Sequence, residues 1–82
     1  MTYRVELKPR AEKDLKSLPR QDRDRVVARL RQLEDDLGGD VKRLSNHFPE
    51  YRMRAEHWRV LFEVAEERII VCRIRHRREA YR

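Results

Sequence analysis

Guanidinium groups dominate the chemistry available to this chain. Of its 21 basic residues 17 are arginine, and five of these fall in the closing run Arg73-Ile74-Arg75-His76-Arg77-Arg78-Glu79-Ala80-Tyr81-Arg82, which carries +4 of the formal +6. Arginine presents a planar, permanently charged fork that matches phosphate oxygens in pairs, whereas lysine is the commoner choice for solubility, so the first expectation is a phosphate-bearing partner. Tyr81 stands among those arginines. A ring beside guanidinium groups is what a single-stranded nucleic acid site uses, the base stacking on the ring while the cations hold the backbone. A tyrosine near a chain end can also simply cover an apolar edge.

A second group of arginines sits in the middle of the chain. Tyr51, Met53 and Ala55 interleave with Arg52 and Arg54, and Trp58, Val60, Phe62 and Val64 interleave with Arg59, Leu61 and Glu63, the alternation of half-buried strands. Glu56-His57 between them reads as a two-residue turn, which pairs Ala55 with Trp58, Arg54 with Arg59 and Met53 with Val60. Arg52, Arg54 and Arg59 then share one face, and Tyr51, Met53, Trp58, Val60 and Phe62 the other. Like charges opposite one another across a strand pair repel by about 0.2–1 kcal/mol. An anion would relieve that repulsion; splaying into screened solvent would also reduce it. Arg73 and Arg75 alternate with Ile74 and extend the same face, and the tail adds Arg77 and Arg78.

The remaining reactive side chains point elsewhere. His47, His57 and His76 lack close metal-ligand spacing and read as exposed polar residues, and with one cysteine in the chain no metal site is expected. Cys72 lies in an apolar run and reads as an inert core residue that cannot form an internal disulfide. No glycine-rich loop is present to cradle a nucleotide, so no small-molecule cofactor is expected.

These groups need a scaffold, and 82 residues with 39% hydrophobic and 44% charged content predict one domain over residues 1–82 with a thin core. Two glycines and three prolines, with the apolar residues in periodic runs, argue against disorder. Tyr3, Val5 and Leu7 alternate with Thr2, Arg4 and Glu6 as a strand ended by Pro9. Ala11, Leu15 and Leu18 fall at helical spacing up to Pro19. From Arg20, Val26, Val27, Leu30, Leu33 and Leu37 form a helical stripe with Gly38-Gly39 as the stop, although Glu34, Asp35 and Asp36 oppose the helix dipole. Residues 40–50 read as a loop, and Ile69 to Ile74 as a central strand after a turn at Ala65-Glu66-Glu67. The expected fold is α+β, in the order β-α-α-β-β-β, with a helical hairpin on a small, mainly antiparallel sheet.

A pI near 10.1 favours nucleic acid, an acidic protein or an anionic surface as partner. The start of the chain carries no apolar run resembling a signal peptide, and Ile69 to Cys72 is too short to span a bilayer, so a cytoplasmic location without a membrane partner is expected.

In these residues the chain resembles the RelE/ParE superfamily of small bacterial and archaeal toxins, and within it the RelE-like mRNA interferases of type II toxin–antitoxin systems. The likeness runs through Tyr3-Arg4-Val5, Ala11-Glu12-Lys13-Asp14-Leu15, Val41-Lys42-Arg43-Leu44, Tyr51-Arg52-Met53-Arg54, Trp58-Arg59-Val60-Leu61-Phe62 and the closing His76-Arg77-Arg78-Glu79-Ala80-Tyr81-Arg82. The resemblance implies a ribosome-dependent endoribonuclease that cuts mRNA in the ribosomal A site without metal and so inhibits translation, and a cognate antitoxin as partner. It also implies that Arg59 holds the scissile phosphate, that Arg52 and Arg54 are further basic residues of the site, that Arg77 stabilises the leaving group or transition state, and that Tyr81 stacks on a base. Arg73, Arg75 and Arg78 would line the RNA path, with Arg75 standing where close relatives often have glycine and competing with Arg77 for the tail role. Guanidinium is a poor proton donor or acceptor near neutrality, where some relatives carry lysines; His76 could carry a proton there. The superfamily also contains ParE-like toxins that poison DNA gyrase without catalysis, the alternative for this chain.

Overall fold

The structure, a computed structural model, describes residues 3–37 and 40–80. In chain order the elements are β1 (Arg4–Leu7), α1 (Pro9–Lys16), α2 (Arg20–Asp35), β2 (Val41–Arg43), β3 (Tyr51–Ala55), β4 (Trp58–Ala65) and β5 (Arg68–His76). Prolines punctuate the helices as their chemistry requires: Pro9 opens α1, where its missing N–H costs nothing, and Pro19 caps α2. The Gly38-Gly39 stop expected for α2 lies outside the described residues, and the helix itself ends at Asp35. Among the described residues no helix is long and apolar enough to cross a membrane.

The five strands form one sheet in the order β1-β5-β4-β3-β2. β1 runs parallel to β5, and every other neighbour is antiparallel. The α+β architecture and its mainly antiparallel sheet agree with the sequence reading. One element is added: Val41–Arg43, within the stretch expected to be a loop, pairs with β3 as a three-residue edge strand. The β3–β4 register is the one the two-residue turn dictates, Ala55 opposite Trp58, Arg54 opposite Arg59 and Met53 opposite Val60. Glu56 and Glu66, in the two hairpin turns, have φ of 57° and 59°, the left-handed conformation that such turns demand.

One face of the sheet packs on the helices. Ala11, Leu18, Val26, Leu30 and Leu33 meet Met53, Ala55, Val60, Phe62, Ile69, Val71 and Ile74 in a single cluster, and Tyr51 stacks on Phe62 with ring centroids 5.5 Å apart. The register between β4 and β5 shifts at Leu61/Phe62, so that Leu61 pairs with Arg73 and Phe62 with Val71, leaving Cys72 as the extra residue of a bulge. The bulge reverses the parity of β5. Ile69 and Val71 face the helices before it and Ile74 does so after it, which turns Arg73 and Arg75 toward the opposite face.

Carboxylates on the helices seal the sheet where its ladder ends. Tyr3 N–H donates to the Glu34 carbonyl at 2.8 Å and Val5 N–H to Glu34 Oε2 at 3.2 Å. This accounts for an acid at the unfavourable end of α2: it satisfies the outer edge of β1, which a buried backbone requires. Asp22 on α2 likewise accepts the indole N–H of Trp58 at 3.1 Å.

Candidate nucleic-acid interface

Strand register alone brings most of the expected arginines together. Arg54, Arg59 and Arg75 are cross-strand neighbours in one row, and Lys42, Arg52, Leu61 and Arg73 form the next. Neighbouring strands lie about 4.8 Å apart, so these rows concentrate positive charge on the sheet face away from the helices, except that the Arg73 guanidinium turns back to Asp14 on α1. Leu61 is buried on that face outside the main core cluster, where arginine stems can cover an apolar side chain while their heads stay polar.

Arg52 differs from the outward, solvated arginine that the alternation predicts. It is only 6% exposed, and its Nε has no hydrogen-bond partner among the described residues. A buried cation without a counter-ion is costly, and a bound anion would remove that cost. Its burial is local: β2 pairs beside it, and it lies on the wall of a groove of about 540 Å³ shared with Lys42, Arg43, Leu44, Ser45, His47 and Arg54. Arg54 is exposed and completes the groove's cationic wall.

The segment between β2 and β3 is stitched into place. Arg43 pairs with Glu50 at 3.1 Å, Leu44 N–H donates to the Glu50 carbonyl at 2.6 Å, and Glu50 N–H donates to the Glu63 carboxylate on β4. His47 Nδ1 lies 3.0 Å from the Pro49 carbonyl. His47 is therefore half-buried and held, where the sequence suggested an exposed polar side chain.

The other expected site residues are distributed as follows. Arg59 turns toward the hairpin, its Nη1 donating to the carbonyls of Glu56 at 2.8 Å and Trp58 at 3.0 Å. Arg75 lies opposite Arg59, and its guanidinium reaches Glu79 at 3.6 Å. The N–H of Arg77 donates to the His57 carbonyl at 2.8 Å, which ties the tail to the β3–β4 turn just beyond the Trp58–His76 pair. Arg78 is exposed, with its N–H 3.3 Å from His76 Nδ1. His76 packs edge-on against Trp58 at 5.5 Å. Tyr81 lies outside the described residues.

Arg73 is committed to the scaffold. Its Nε and Nη2 donate to Asp14 at 2.8 and 3.3 Å, and the same carboxylate accepts the Ile74 N–H at 3.0 Å. Burial alone would raise the Asp14 carboxyl, but the Arg73 hydrogen bond, the Ile74 N–H and the charges of Arg73 and Arg75 outweigh it and hold the group below its ordinary 3.8. Burial pushes the Cys72 thiol up, in keeping with an inert residue. Among the described residues no group of histidine, cysteine and carboxylate side chains is arranged to hold a metal ion. Sequence reasoning did not single out Lys42, Ser45 and His47 for this site. The basic pair Lys42-Arg43, two residues upstream of Ser45, was the available signal.

Comparison with known proteins agrees with this architecture. A search of curated proteins finds no match. Among solved structures, the archaeal RelE–RelB complex from Pyrococcus horikoshii OT3 contains a chain 28% identical, with a TM-score of 0.81 over 98% of this chain and 100% of that one. A chain of the RelB–RelE antitoxin–toxin complex from Methanococcus jannaschii is 26% identical, with a TM-score of 0.75 over 92% and 93%. The toxin–antitoxin complex RelBE2 from Mycobacterium tuberculosis shares the fold at 21% identity, with a TM-score of 0.80 over 93% and 99%. A family model for the ParE toxin of the type II toxin–antitoxin system, parDE, matches residues 5–81. With nearly the whole chain matched and the RelE fold reproduced, this protein belongs to the RelE/ParE superfamily of type II toxin–antitoxin toxins.

Proposed function

We propose that the chain is a ribosome-dependent endoribonuclease that cleaves mRNA in the ribosomal A site without a metal and so inhibits translation. The observation that carries this reading is Arg52, 6% exposed and with its Nε lacking a hydrogen-bond partner among the described residues, on the wall of a groove shared with Arg54, whose cross-strand neighbour is Arg59. Three guanidinium groups around one phosphodiester supply what such a cleavage needs from charge. They position the 2′-hydroxyl against its own phosphorus and stabilise the crowded dianionic phosphorane. Arg77 and Tyr81 complete the site in this reading, Arg77 as the tail cation and Tyr81 as the stacking ring. Arg75 and Arg78 line the RNA path.

The chain acts as one domain in the cytoplasm, with ribosome and mRNA as its targets and a cognate antitoxin as its regulator. The similarity to toxin chains from RelE–RelB complexes supports that partner, and a +6 surface suits an acidic one. A second reading, gyrase poisoning without catalysis, is favoured by the match to the ParE toxin model. Inducing the chain in growing cells and mapping mRNA ends on translating ribosomes decides between them. New A-site ends establish cleavage; intact mRNA with DNA breaks and inhibited gyrase supercoiling establishes the alternative.

A further inference from the structure

A site built from arginines lacks a proton carrier, because guanidinium stays charged through the neutral range. Cleavage by a 2′-hydroxyl needs two proton movements, one off the attacking oxygen and one onto the departing 5′-oxygen. The groove beside Arg52 and Arg54 holds two side chains able to make them, Lys42 and His47. Lys42 is the cross-strand partner of Arg52. His47 is oriented by Pro49: a carbonyl can only accept, so the His47 Nδ1, 3.0 Å away, carries the ring proton of the neutral imidazole, and Nε2 is the nitrogen that exchanges the second. A base held by a third group at its other nitrogen is the arrangement that general-base catalysis requires.

We infer that His47 and Lys42 are the proton-transfer pair of this site, an inference that rests on the endoribonuclease reading. His47 Nε2 removes the 2′-hydroxyl proton as the 2′-oxygen forms its bond to phosphorus. The phosphorus–O5′ bond breaks, and the 5′-oxygen takes a proton from the Lys42 ammonium. The products are a 2′,3′-cyclic phosphate and a 5′-hydroxyl end, and solvent exchange restores both side chains. The charged groups around His47 are Lys42 and Arg43 on β2, Arg52 and Arg54 on β3, and Glu50, which is already paired with Arg43.

The test is single-turnover cleavage of mRNA on programmed ribosomes across a pH series, with RNA affinity measured in parallel. Wild type should show a rate that rises through the imidazole range, between about pH 5.5 and 7.5. His47→Gln should cut the rate by about 100-fold or more and flatten that rise, while RNA affinity changes less than about threefold. Lys42→Arg should keep affinity, because the charge remains, yet slow cleavage by about tenfold or more. A His47→Gln rate close to wild type overturns the base, and a Lys42→Arg rate close to wild type overturns the acid. Either result leaves the endoribonuclease reading standing. If His47→Gln fails to fold, the wild-type profile decides, and a rate flat through the imidazole range overturns the inference. A wild type that never cleaves ribosomal mRNA removes the reading and this inference together.

Discussion

Asp14 on α1 binds Arg73 on β5 through two hydrogen bonds, of 2.8 and 3.3 Å, and its Oδ2 also accepts the Ile74 N–H at 3.0 Å. The position explains the geometry. β1 leaves β5 at Val71, where Leu7 is its last partner and the Lys8 N–H still reaches the Val71 carbonyl at 2.9 Å. From Arg73 onward β5 pairs with no strand on that side among the described residues, and α1 supplies a carboxylate in place of one. The arginine-bearing end of β5 is thereby fixed to the helix layer.

Asp14→Ala should therefore destabilise the fold by about 2–3 kcal/mol, since it strands a half-buried guanidinium and an edge N–H together. The pH dependence has a definite sign. The Asp14 carboxyl titrates below its ordinary 3.8 in the folded protein, so its contribution is full above that value and is lost as pH falls through the lower, folded pKa. Urea unfolding of wild type and Asp14→Ala should differ most near neutrality and converge below pH 3.8. A gap that persists undiminished in acid would refute the assignment.

Arg52 should show the opposite balance between stability and activity. The residue is 6% exposed, and its Nε has no hydrogen-bond partner among the described residues, so Arg52→Met, which keeps the packing stem, should leave stability unchanged or raise it by about 1 kcal/mol. The same substitution should abolish mRNA cleavage. A substantial loss of melting temperature with activity retained would mean that Arg52 serves the scaffold and not an anion.

Glu34 offers a test of edge sealing remote from the site. Glu34→Ala removes the acceptor of the Val5 N–H and should cost about 1 kcal/mol, while Glu34→Gln keeps an acceptor oxygen and should stay within about 0.5 kcal/mol of wild type. Hydrogen exchange at the Val5 amide should quicken in the alanine variant alone. Equal effects of both substitutions would point to charge and not to the hydrogen bond.

These tests separate what the sequence made legible from what it did not. The Arg54–Arg59 pairing could be read because a two-residue turn between alternating strands admits one register, and one register fixes every face. The bulge at Cys72 could not: Ile69, Ile70, Val71 and Cys72 are apolar at both parities, so the pattern is blind to a one-residue insertion that decides where Arg73 and Arg75 lie. β2 was hidden by its length, since three residues carry no period. The burial of Arg52 depends on its neighbours in space, and alternation within β3 says nothing of those. The acids of α2 looked misplaced because helix-dipole reasoning sees the helix alone, whereas Glu34 answers to β1.

Salt dependence should divide the arginines by what already neutralises them. For single-stranded RNA the logarithm of the binding constant falls with the logarithm of salt concentration by about 0.7 for each phosphate contacted. With Arg52, Arg54 and Arg59 on the RNA, the slope contributed by this trio should be about −2. Arg54→Ala should weaken binding and make the slope shallower by about 0.7. Arg73→Ala should leave the slope unchanged, because that charge is spent on Asp14, and should instead lower the melting temperature. Fluorescence anisotropy of a labelled oligoribonucleotide over a salt series measures both. If Arg73→Ala flattens the slope as much as Arg54→Ala, then RNA competes successfully with Asp14 for that guanidinium, and the division between scaffold and site along β5 is wrong.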